Sequence, residues 1–155
     1  MHDALFVPED FAVPEGPVTG EFRLVPLGPQ HNEADYAAWT ASIDHIRGTP
    51  GFPDGSWPHE MSLNDNLRDL ERHAQDFAGR RGFTYTVLST STGDVIGCVY
   101  IYPEPGGGAG GRRRASVQSW VRADCAALDP VLHDAVLAWL ERDWPFDSIE
   151  YAPRT

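Results

Sequence analysis

The segment 115–142, ASVQSWVRADCAALDPVLHDAVLAWLER, decides the fold. Its opening residues alternate in character with a period of two, which predicts a strand. The positions on one side of that strand are Ala115, Val117, Ser119 and Val121. Asp129 and Pro130 then predict a helix start, because Asp caps helix N-termini and Pro is tolerated at the first helical position. The expected apolar face of this helix is Val131, Leu132, Ala135, Val136, Trp139 and Leu140. A strand that leads into a helix N-terminus is a common way to hold a phosphate.

Further strands are predicted on both sides of this segment. Two of them form a hairpin, because residues 90–94 are a polar, Gly-containing turn between runs rich in aromatic and β-branched residues. Gly97, inside the second run, indicates a bulge or a close approach between backbones. The predicted strands cover residues 21–27, 83–89, 95–102, 113–122 and 147–152.

Two more helices are predicted before the hairpin. Asn32 is expected to cap a helix that runs to about residue 47. The inner stripe of that helix is expected to be Tyr36, Trp39, Ile43 and Ile46. Ser62, with Asp65 three residues later, is expected to cap a helix over 62–77. The apolar stripe of this second helix is expected to be Leu63, Leu67, Leu70, Ala74 and Phe77.

The irregular segments leave several alternatives open. Phe52 and Trp57 lie in the loop 49–61, which is either a binding loop or a loop pinned to the core by these side chains. His59 and Glu60 do not begin a zinc-protease motif, because Leu63 stands where the second His would be, and no metal site is predicted. The Gly-rich segment 104–111 is a connector and not a phosphate loop, which would end in Gly-Lys-Ser/Thr.

Length and composition predict one packed domain. The chain has 155 residues, enough for a single substantial core. We assign residues 21–155 to one domain and residues 1–20, which contain three Pro, to an extended arm. The arm is interpreted as a cover for the chain's own core, and a partner's surface is the alternative.

Charge and targeting signals restrict the function classes. The formal net charge is −11, and all 12 basic residues are Arg. This acidic balance argues against nucleic acid and against an anionic membrane as the main partner. Two cysteines, Cys98 and Cys125, are too few for a disulfide framework. The first residues lack the pattern of a signal peptide, so a cytoplasmic location is expected.

The order of predicted elements, with three motifs, resembles the GNAT family of acetyltransferases. The order is strand, helix, helix, three strands, helix, strand. The motifs are FRLVPLGPQHNEADYAAW at 22–39, GDVIGCVYIYP at 93–103 and VQSWVRAD at 117–124. The resemblance covers about residues 21–154 and implies an α+β fold of the three-layer type. In that fold a mixed, mostly antiparallel sheet of about five to six strands has helices packed on it.

The resemblance also implies a cofactor and its site. GNAT proteins transfer an acetyl group from acetyl-CoA to an amine, and the backbone at the end of their fourth strand pairs with the pantetheine arm. Ser119, Trp120, Val121 and Arg122 match that position here and are the predicted cofactor-binding residues.

The following loop departs from the family pattern. The family loop Q/R-x-x-G-x-G/A corresponds here to residues 123–128, ADCAAL, which contain no Gly. Without Gly the backbone cannot readily approach a pyrophosphate or adopt positive φ. Pro130 removes a donor near the helix start, and Asp129 places a carboxylate where a phosphate would bind. Weak binding of acetyl-CoA is therefore expected.

Two functions remain open from the sequence. The first is a divergent GNAT-like N-acyltransferase that moves an acetyl or related acyl group from acyl-CoA to a small-molecule amine. The second is a non-catalytic GNAT-like fold that binds another small molecule or a protein partner. The bases considered are Glu104, Glu150 and His59, and the proton donors considered are Tyr100, Tyr102 and Tyr151. No catalytic residue is assigned, because each of these has an ordinary structural explanation. A homodimer or the arm could cover the exposed sheet edge.

Overall fold

A mixed five-stranded sheet lies at the centre of the computed structural model, which describes residues 5–52, 57–104 and 112–154. The strands are β1 (Phe22–Pro26), β2 (Phe83–Ser89), β3 (Val95–Pro103), β4 (Arg114–Val121) and β5 (Ser148–Tyr151). They are arranged in sequence order, and only the β4–β5 pair is parallel. The predicted mixed, mostly antiparallel sheet is therefore confirmed. Most of the Gly-rich connector, residues 105–111, lies outside the described residues.

Helices cover both faces of the sheet. They are α1 (Asn32–Thr40), α2 (Ile43–Arg47), α3 (Leu63–Ala78) and α4 (Asp129–Asp143). A 3₁₀ segment, Ala123–Leu128, leads directly into α4. One core cluster joins α4 to one face of the sheet, and the other joins α1, α2 and α3 to the opposite face. The predicted three-layer α+β class is therefore also confirmed.

Successive side chains of β4 point to opposite faces of the sheet, so this strand contributes to both core clusters. Ala115, Val117 and Val121 belong to the core cluster under α4, whereas Trp120 belongs to the opposite cluster. Gly97 of β3 is required beside this strand, because a Cβ there would overlap the carbonyl oxygen of Trp120. The expected close approach of backbones at Gly97 is thus confirmed, and the β2–β3 register also shifts beside it.

The inner face of α4 is largely as predicted. The buried residues of the helix are Leu132, His133, Val136, Trp139 and Leu140. Trp139 meets Tyr85 of β2 edge to face, with ring centroids 5.2 Å apart. The prediction was wrong for Val131, which is 43% exposed. Successive helical residues are 100° apart, so Val131 lies past the edge of the stripe and His133 takes an inner position instead.

The helix predicted for residues 32–47 is two helices. It breaks after Thr40, and Ser42 has the non-helical dihedrals φ −133° and ψ 20°. The Ser42 hydroxyl accepts a hydrogen bond from the Ala123 N–H at 2.9 Å, which ties the break to the segment before α4. This tertiary bond competes with continuation of the helix, since Ser readily bonds to nearby backbone outside helices.

Of the two residues predicted to cap helices before the hairpin, Ser62 does so and Asn32 does not. Ser62 caps α3 as expected, because its hydroxyl accepts from the Asp65 N–H at 3.1 Å. Asn32 does not cap α1, and the residue in the cap position is His31. The Asn32 side chain instead accepts from the Asn66 amide at 2.8 Å. Leu63, expected in the apolar stripe of α3, is 38% exposed because it stands at the helix start, away from the sheet.

The described part of the arm, residues 5–20, packs against the face that carries α4. Val7 is buried in that core cluster, and Phe6 stacks on Phe146 with ring centroids 4.9 Å apart. The Arg80 guanidinium donates to the carbonyls of Pro8 and Phe11 at 2.7 and 2.8 Å. These contacts attach the arm to the body of the same chain.

Candidate functional site

A cleft with a volume of about 390 Å³ opens between α3 and the sheet. Its walls come from α1, from the loop before α3, from α3 itself and from β3 and β4. Its polar, charged and apolar lining residues include Asp35, Trp57, Asn66, Asp69, Leu70, Arg72, His73 and Tyr102. This volume lies within the range of natural small-molecule sites. The cleft is therefore the candidate site.

Asp35 of α1 provides the charged end of the cleft. The residue is only 4% exposed, and its Oδ2 accepts from the Asn66 amide at 3.2 Å. Asn66 is held in turn by Trp39, whose indole N–H donates to its Oδ1 at 3.0 Å. Among the described residues, Oδ1 of Asp35 has no hydrogen-bond partner. With respect to residues 5–52, 57–104 and 112–154, one carboxylate oxygen is thus left without a partner at the wall of the cleft.

Burial makes the charge on Asp35 costly. Desolvation raises the pKa of this carboxyl from 3.8 to about 6, while the Asn66 hydrogen bond lowers it and the nearby Asp69 raises it further. A carboxylate that is desolvated without a counter-charge is a frequent mark of a functional site. A cation in the cleft would offset that cost.

Aromatic rings surround the same cleft. Trp57 lies against Trp39, Phe52 and Trp120, with ring centroids 5.5, 5.9 and 6.2 Å apart. Tyr100 meets Trp57 at 6.4 Å and accepts a hydrogen bond from the Trp120 indole at 2.9 Å. Trp57 therefore packs on the core, as one of the two interpretations of its loop expects, and it also lines the cleft. A binding role for the loop stays a prediction.

His73 of α3 provides the second polar end of the cleft. Its Nδ1 lies 2.8 Å from the Tyr102 hydroxyl and 3.1 Å from the Thr84 hydroxyl. The Tyr102 hydroxyl donates to Oδ2 of Asp76 at 2.9 Å. Burial and the positive charge of Arg72 lower the pKa of His73, while Asp69 and Asp76 raise it; the net effect is a pKa below 6.5, so the neutral ring predominates at pH 7. A neutral imidazole offers one donor and one acceptor nitrogen.

The end of β4 carries a second notable arrangement. The β4–β5 pairing stops at Val117 and Tyr151, so the following part of β4 pairs with no described strand on that side. The Arg154 side chain, which is 3% exposed, lies there and donates to the Ser119 carbonyl at 2.9 Å. The same guanidinium donates to Oδ2 of Asp129 at 2.7 Å. Arg154 thereby provides a hydrogen-bond donor for the Ser119 carbonyl at the unpaired edge of β4.

Asp129 does not cap α4, which corrects the prediction from the sequence. It is already the first helical residue, with φ −57° and ψ −52°, and the preceding Leu128 occupies the cap position. Helical dihedrals hold the Asp129 side chain away from capping geometry, and the Arg154 guanidinium is a stronger partner than a neutral N–H.

The predicted cofactor residues lie at this edge but do not share one environment. Ser119 faces α4 and bonds to the Tyr151 hydroxyl, whereas Trp120 points to the cleft side. Val121 is buried under α4, and the Arg122 side chain bonds to Asp124 at 2.7 Å. The backbone and not a cluster of side chains is what these four residues have in common.

The tyrosines considered as proton donors lie in two regions, and the possible bases lie outside the cleft. Tyr100 and Tyr102 line the cleft, while Tyr151 lies on the α4 side. The possible bases do not line the cleft: His59 and Glu150 are exposed, and the Glu104 N–H pairs with Arg114. Within the described residues there is no group of three or more potential metal ligands. No described helix is long and apolar enough to span a bilayer.

Sequence reasoning missed Asp35, Asn66 and His73. A signal was present, because each stands at helical spacing from buried apolar residues. Asp35 precedes Trp39 by four positions, and Leu70 lies four after Asn66 and three before His73. Polar residues within an apolar stripe mark buried polar positions, which are functional more often than exposed ones.

The sequence matches no protein-family model and no curated protein. Solved structures, however, resemble the fold closely. The microcin C7 self-immunity acetyltransferase MccE, in complex with acetyl-CoA and AMP, aligns with a TM-score of 0.61 at 13% identity, over 83% of this chain and 66% of that chain. The ribosomal L7/L12 α-N-protein acetyltransferase RimL gives 0.62 at 13% identity, over 84% and 70%. The ribosomal-protein-S5-alanine acetyltransferase from Vibrio fischeri gives 0.61 at 10% identity, over 82% and 67%.

These similarities show that the chain has the GNAT acetyltransferase fold. They confirm the resemblance drawn from the order of elements and the three motifs. The chain spans about two thirds of the length of these structures. At such low identity, activity and substrate do not follow from the fold.

Proposed function

We propose that this GNAT-fold chain binds a small organic amine in the cleft, with the ammonium group on Asp35. This corresponds to the non-catalytic alternative weighed from the sequence, narrowed to one ligand class. The observation that carries the proposal is the buried Asp35 carboxylate at the cleft wall, which, within the described part of the chain, has one oxygen without a hydrogen-bond partner and forms no ion pair, since Arg72 of the same cleft pairs with Asp69. Burial of an unpaired carboxylate is costly, so a positive ligand group would complete the site.

The surroundings of Asp35 suit an organic cation. Trp57 and Tyr100 present aromatic rings to the cleft, and aromatic faces attract ammonium groups. Leu70, which is 3% exposed, adds apolar surface for the carbon skeleton. The net charge of −11 would further favour the approach of cations.

The test is calorimetric titration of the protein with 1-aminopentane and with 1-pentanol, which matches its shape but is neutral. We expect the amine to bind and the alcohol to bind far more weakly. Asp35→Asn should weaken amine binding by about 10- to 100-fold, as loss of a charged hydrogen bond does. Glu33→Gln removes one exposed charge from the same helix and should leave affinity unchanged. Equal affinities in Asp35→Asn and the unmodified protein would refute the proposal.

A second candidate function is transfer of an acetyl or related acyl group from acyl-CoA to that amine. It is favoured by the GNAT fold and by the position of β4, where Gln118 lines the cleft and Ser119 to Arg122 follow directly. In this candidate those four residues would contact acetyl-CoA, as the resemblance implies.

The backbone at the end of β4 and the N-terminus of α4, where this candidate would place acetyl-CoA, are already occupied by other side chains of the chain. Arg154 already bonds to the Ser119 carbonyl, and Asp129 holds a carboxylate at the N-terminus of α4. The segment before α4 is a 3₁₀ turn without Gly. Titration with acetyl-CoA, CoA and desulfo-CoA separates the two functions. Weak or absent binding supports amine binding alone, and tight stoichiometric binding would favour acyl transfer.

A further inference from the structure

The cleft has polar groups from Asp35 and Asn66 on one side and from His73 on the other, with Leu70 and the Asp69–Arg72 ion pair between them along α3. This arrangement narrows the ligand class. Asn66, which holds Asp35, and His73 lie on the same helix, seven residues apart. Seven residues at the rise of an α-helix span roughly 10 Å. Leu70 lies between them and also lines the cleft. A ligand that used both ends would therefore be elongated.

Hydrogen bonding fixes which nitrogen of His73 is free to accept. The Asp76 carboxylate is an acceptor, so the Tyr102 hydroxyl proton is directed to it. The Tyr102 oxygen then accepts from His73, which places the ring proton on Nδ1 and leaves the Nε2 lone pair. Among the described residues, Nε2 has no hydrogen-bond partner.

The arrangement that sets this tautomer is built into the fold. Asp76 is held from its outer side by the Arg81 guanidinium at 3.2 Å. Gly82 leaves room for the Tyr102 ring, which a Cβ at that position would overlap. The His73 ring packs against Tyr100 and Tyr102, with centroids 5.5 and 5.9 Å away. His73 is therefore oriented by its neighbours before any ligand arrives.

We propose that the ligand is an elongated amine with a hydrogen-bond donor at its far end, bound by Asp35 at the ammonium and by Nε2 of His73 at the donor. This inference rests on the proposed function and extends it to the second end of the cleft. Subtracting two hydrogen bonds of about 2.9 Å each from the helical spacing of roughly 10 Å leaves roughly 5 Å between the polar atoms of the ligand along the helix. Amino alcohols and diamines with a flexible chain of about three to five carbons share this chemistry.

The experiment compares ligands that differ only at the far end. The protein is titrated with 5-amino-1-pentanol and 1,5-diaminopentane, and with 5-methoxypentylamine, which keeps the oxygen but cannot donate there. We expect at least one of the two donor-bearing ligands to bind about 3- to 10-fold more tightly than the methoxy compound, the gain of one hydrogen bond. Equal affinity for all three would overturn the inference.

Two variants assign the difference to His73. His73→Phe keeps a ring between the tyrosines but removes the acceptor, so the preference for donor-bearing ligands over 5-methoxypentylamine should vanish. Tyr102→Phe removes the group that orients His73 and should reduce the preference in part. If circular dichroism shows that His73→Phe is unfolded, Tyr102→Phe provides the test. An undiminished preference of Tyr102→Phe for the donor-bearing ligands would contradict the inference. Failure of 1-aminopentane to bind the unmodified protein would instead refute the amine-binding proposal.

Discussion

The Asp129–Arg154 ion pair joins the first residue of α4 to the segment that follows β5. Its side chains are 14% and 3% exposed, so water screens the pair little. Arg154 also donates to the carbonyls of Ala152 and Ser119 at 2.7 and 2.9 Å. These bonds close the gap left where β4 runs on without β5.

This geometry reverses the effect expected for a capping residue. As a cap, Asp129 could be replaced by Asn at almost no cost. As the partner of a buried guanidinium, Asp129→Asn should lower the free energy of unfolding by about 3–5 kcal/mol, because it leaves Arg154 buried without a counter-charge. Denaturant unfolding monitored by tryptophan fluorescence measures the change.

Asp143→Asn is the matched control. Asp143 pairs with Arg142 in an ion pair whose side chains are 36% and 66% exposed. Surface pairs contribute little, so this change should stay within about 0.5 kcal/mol. An Asp129→Asn variant as stable as this control would show that the buried pair does not hold α4 to the end of the chain.

At the scale of elements, α4 packs its buried side chains into the core cluster on one face of the sheet. Trp139 is 2% exposed and contacts Tyr85 and Trp144 edge to face, with centroids 5.2 and 5.4 Å away. Trp139→Ala should therefore lower the free energy of unfolding by about 3–5 kcal/mol through lost burial and a residual cavity. Glu141→Ala, at an exposed position of the same helix, should change it by no more than about 0.5 kcal/mol. Similar losses at both sites would place the wrong face of α4 against the sheet.

Helices and strands were predictable where burial repeats with a regular period. The strands and the inner residues of α4 follow from that period, and Ser62 caps α3 through a local bond. Ser42, Asn32 and Asp129 deviate because their partners, Ala123, Asn66 and Arg154, are distant in sequence. Local propensity cannot include a bond to a residue that only the folded chain brings near.

At the scale of the whole molecule, the sheet and its two covered faces could be predicted, whereas the cleft could not. The order of elements, together with the three motifs at 22–39, 93–103 and 117–124, indicated the GNAT fold. The cleft, in contrast, is assembled from α1, α3, β3 and a loop, and its key side chains are single polar residues within apolar stripes. Spacing identifies a stripe, but the chemistry opposite it depends on how the helices pack on the sheet.

Asp35 links this cleft to the stability of the entire fold. Burial raises the pKa of its carboxyl from 3.8 to about 6, so between these values the folded state keeps a proton that the unfolded state releases. The contribution of this group to stability is therefore full below the unfolded pKa and is lost as pH rises through about 6. A shift of this size corresponds to about 3 kcal/mol.

Asp35→Asn should accordingly be more stable than the unmodified protein at pH 7, by about 2–3 kcal/mol, and nearly equal to it at pH 4. The Asn carbonyl can still accept from the Asn66 amide, so the substitution removes the buried charge and keeps the hydrogen bond. Thermal and denaturant unfolding from pH 4 to pH 8 measure this difference. A bound amine should stabilise the unmodified protein at pH 7, since a ligand that binds only the folded state shifts unfolding by mass action, and should do so much less at pH 4 or in Asp35→Asn. A binding site built on a costly charge gives up stability for ligand affinity, so removing the charge should raise stability and remove the effect of the amine. If Asp35→Asn is instead less stable at pH 7 and is still stabilised by the amine, Asp35 is a structural residue.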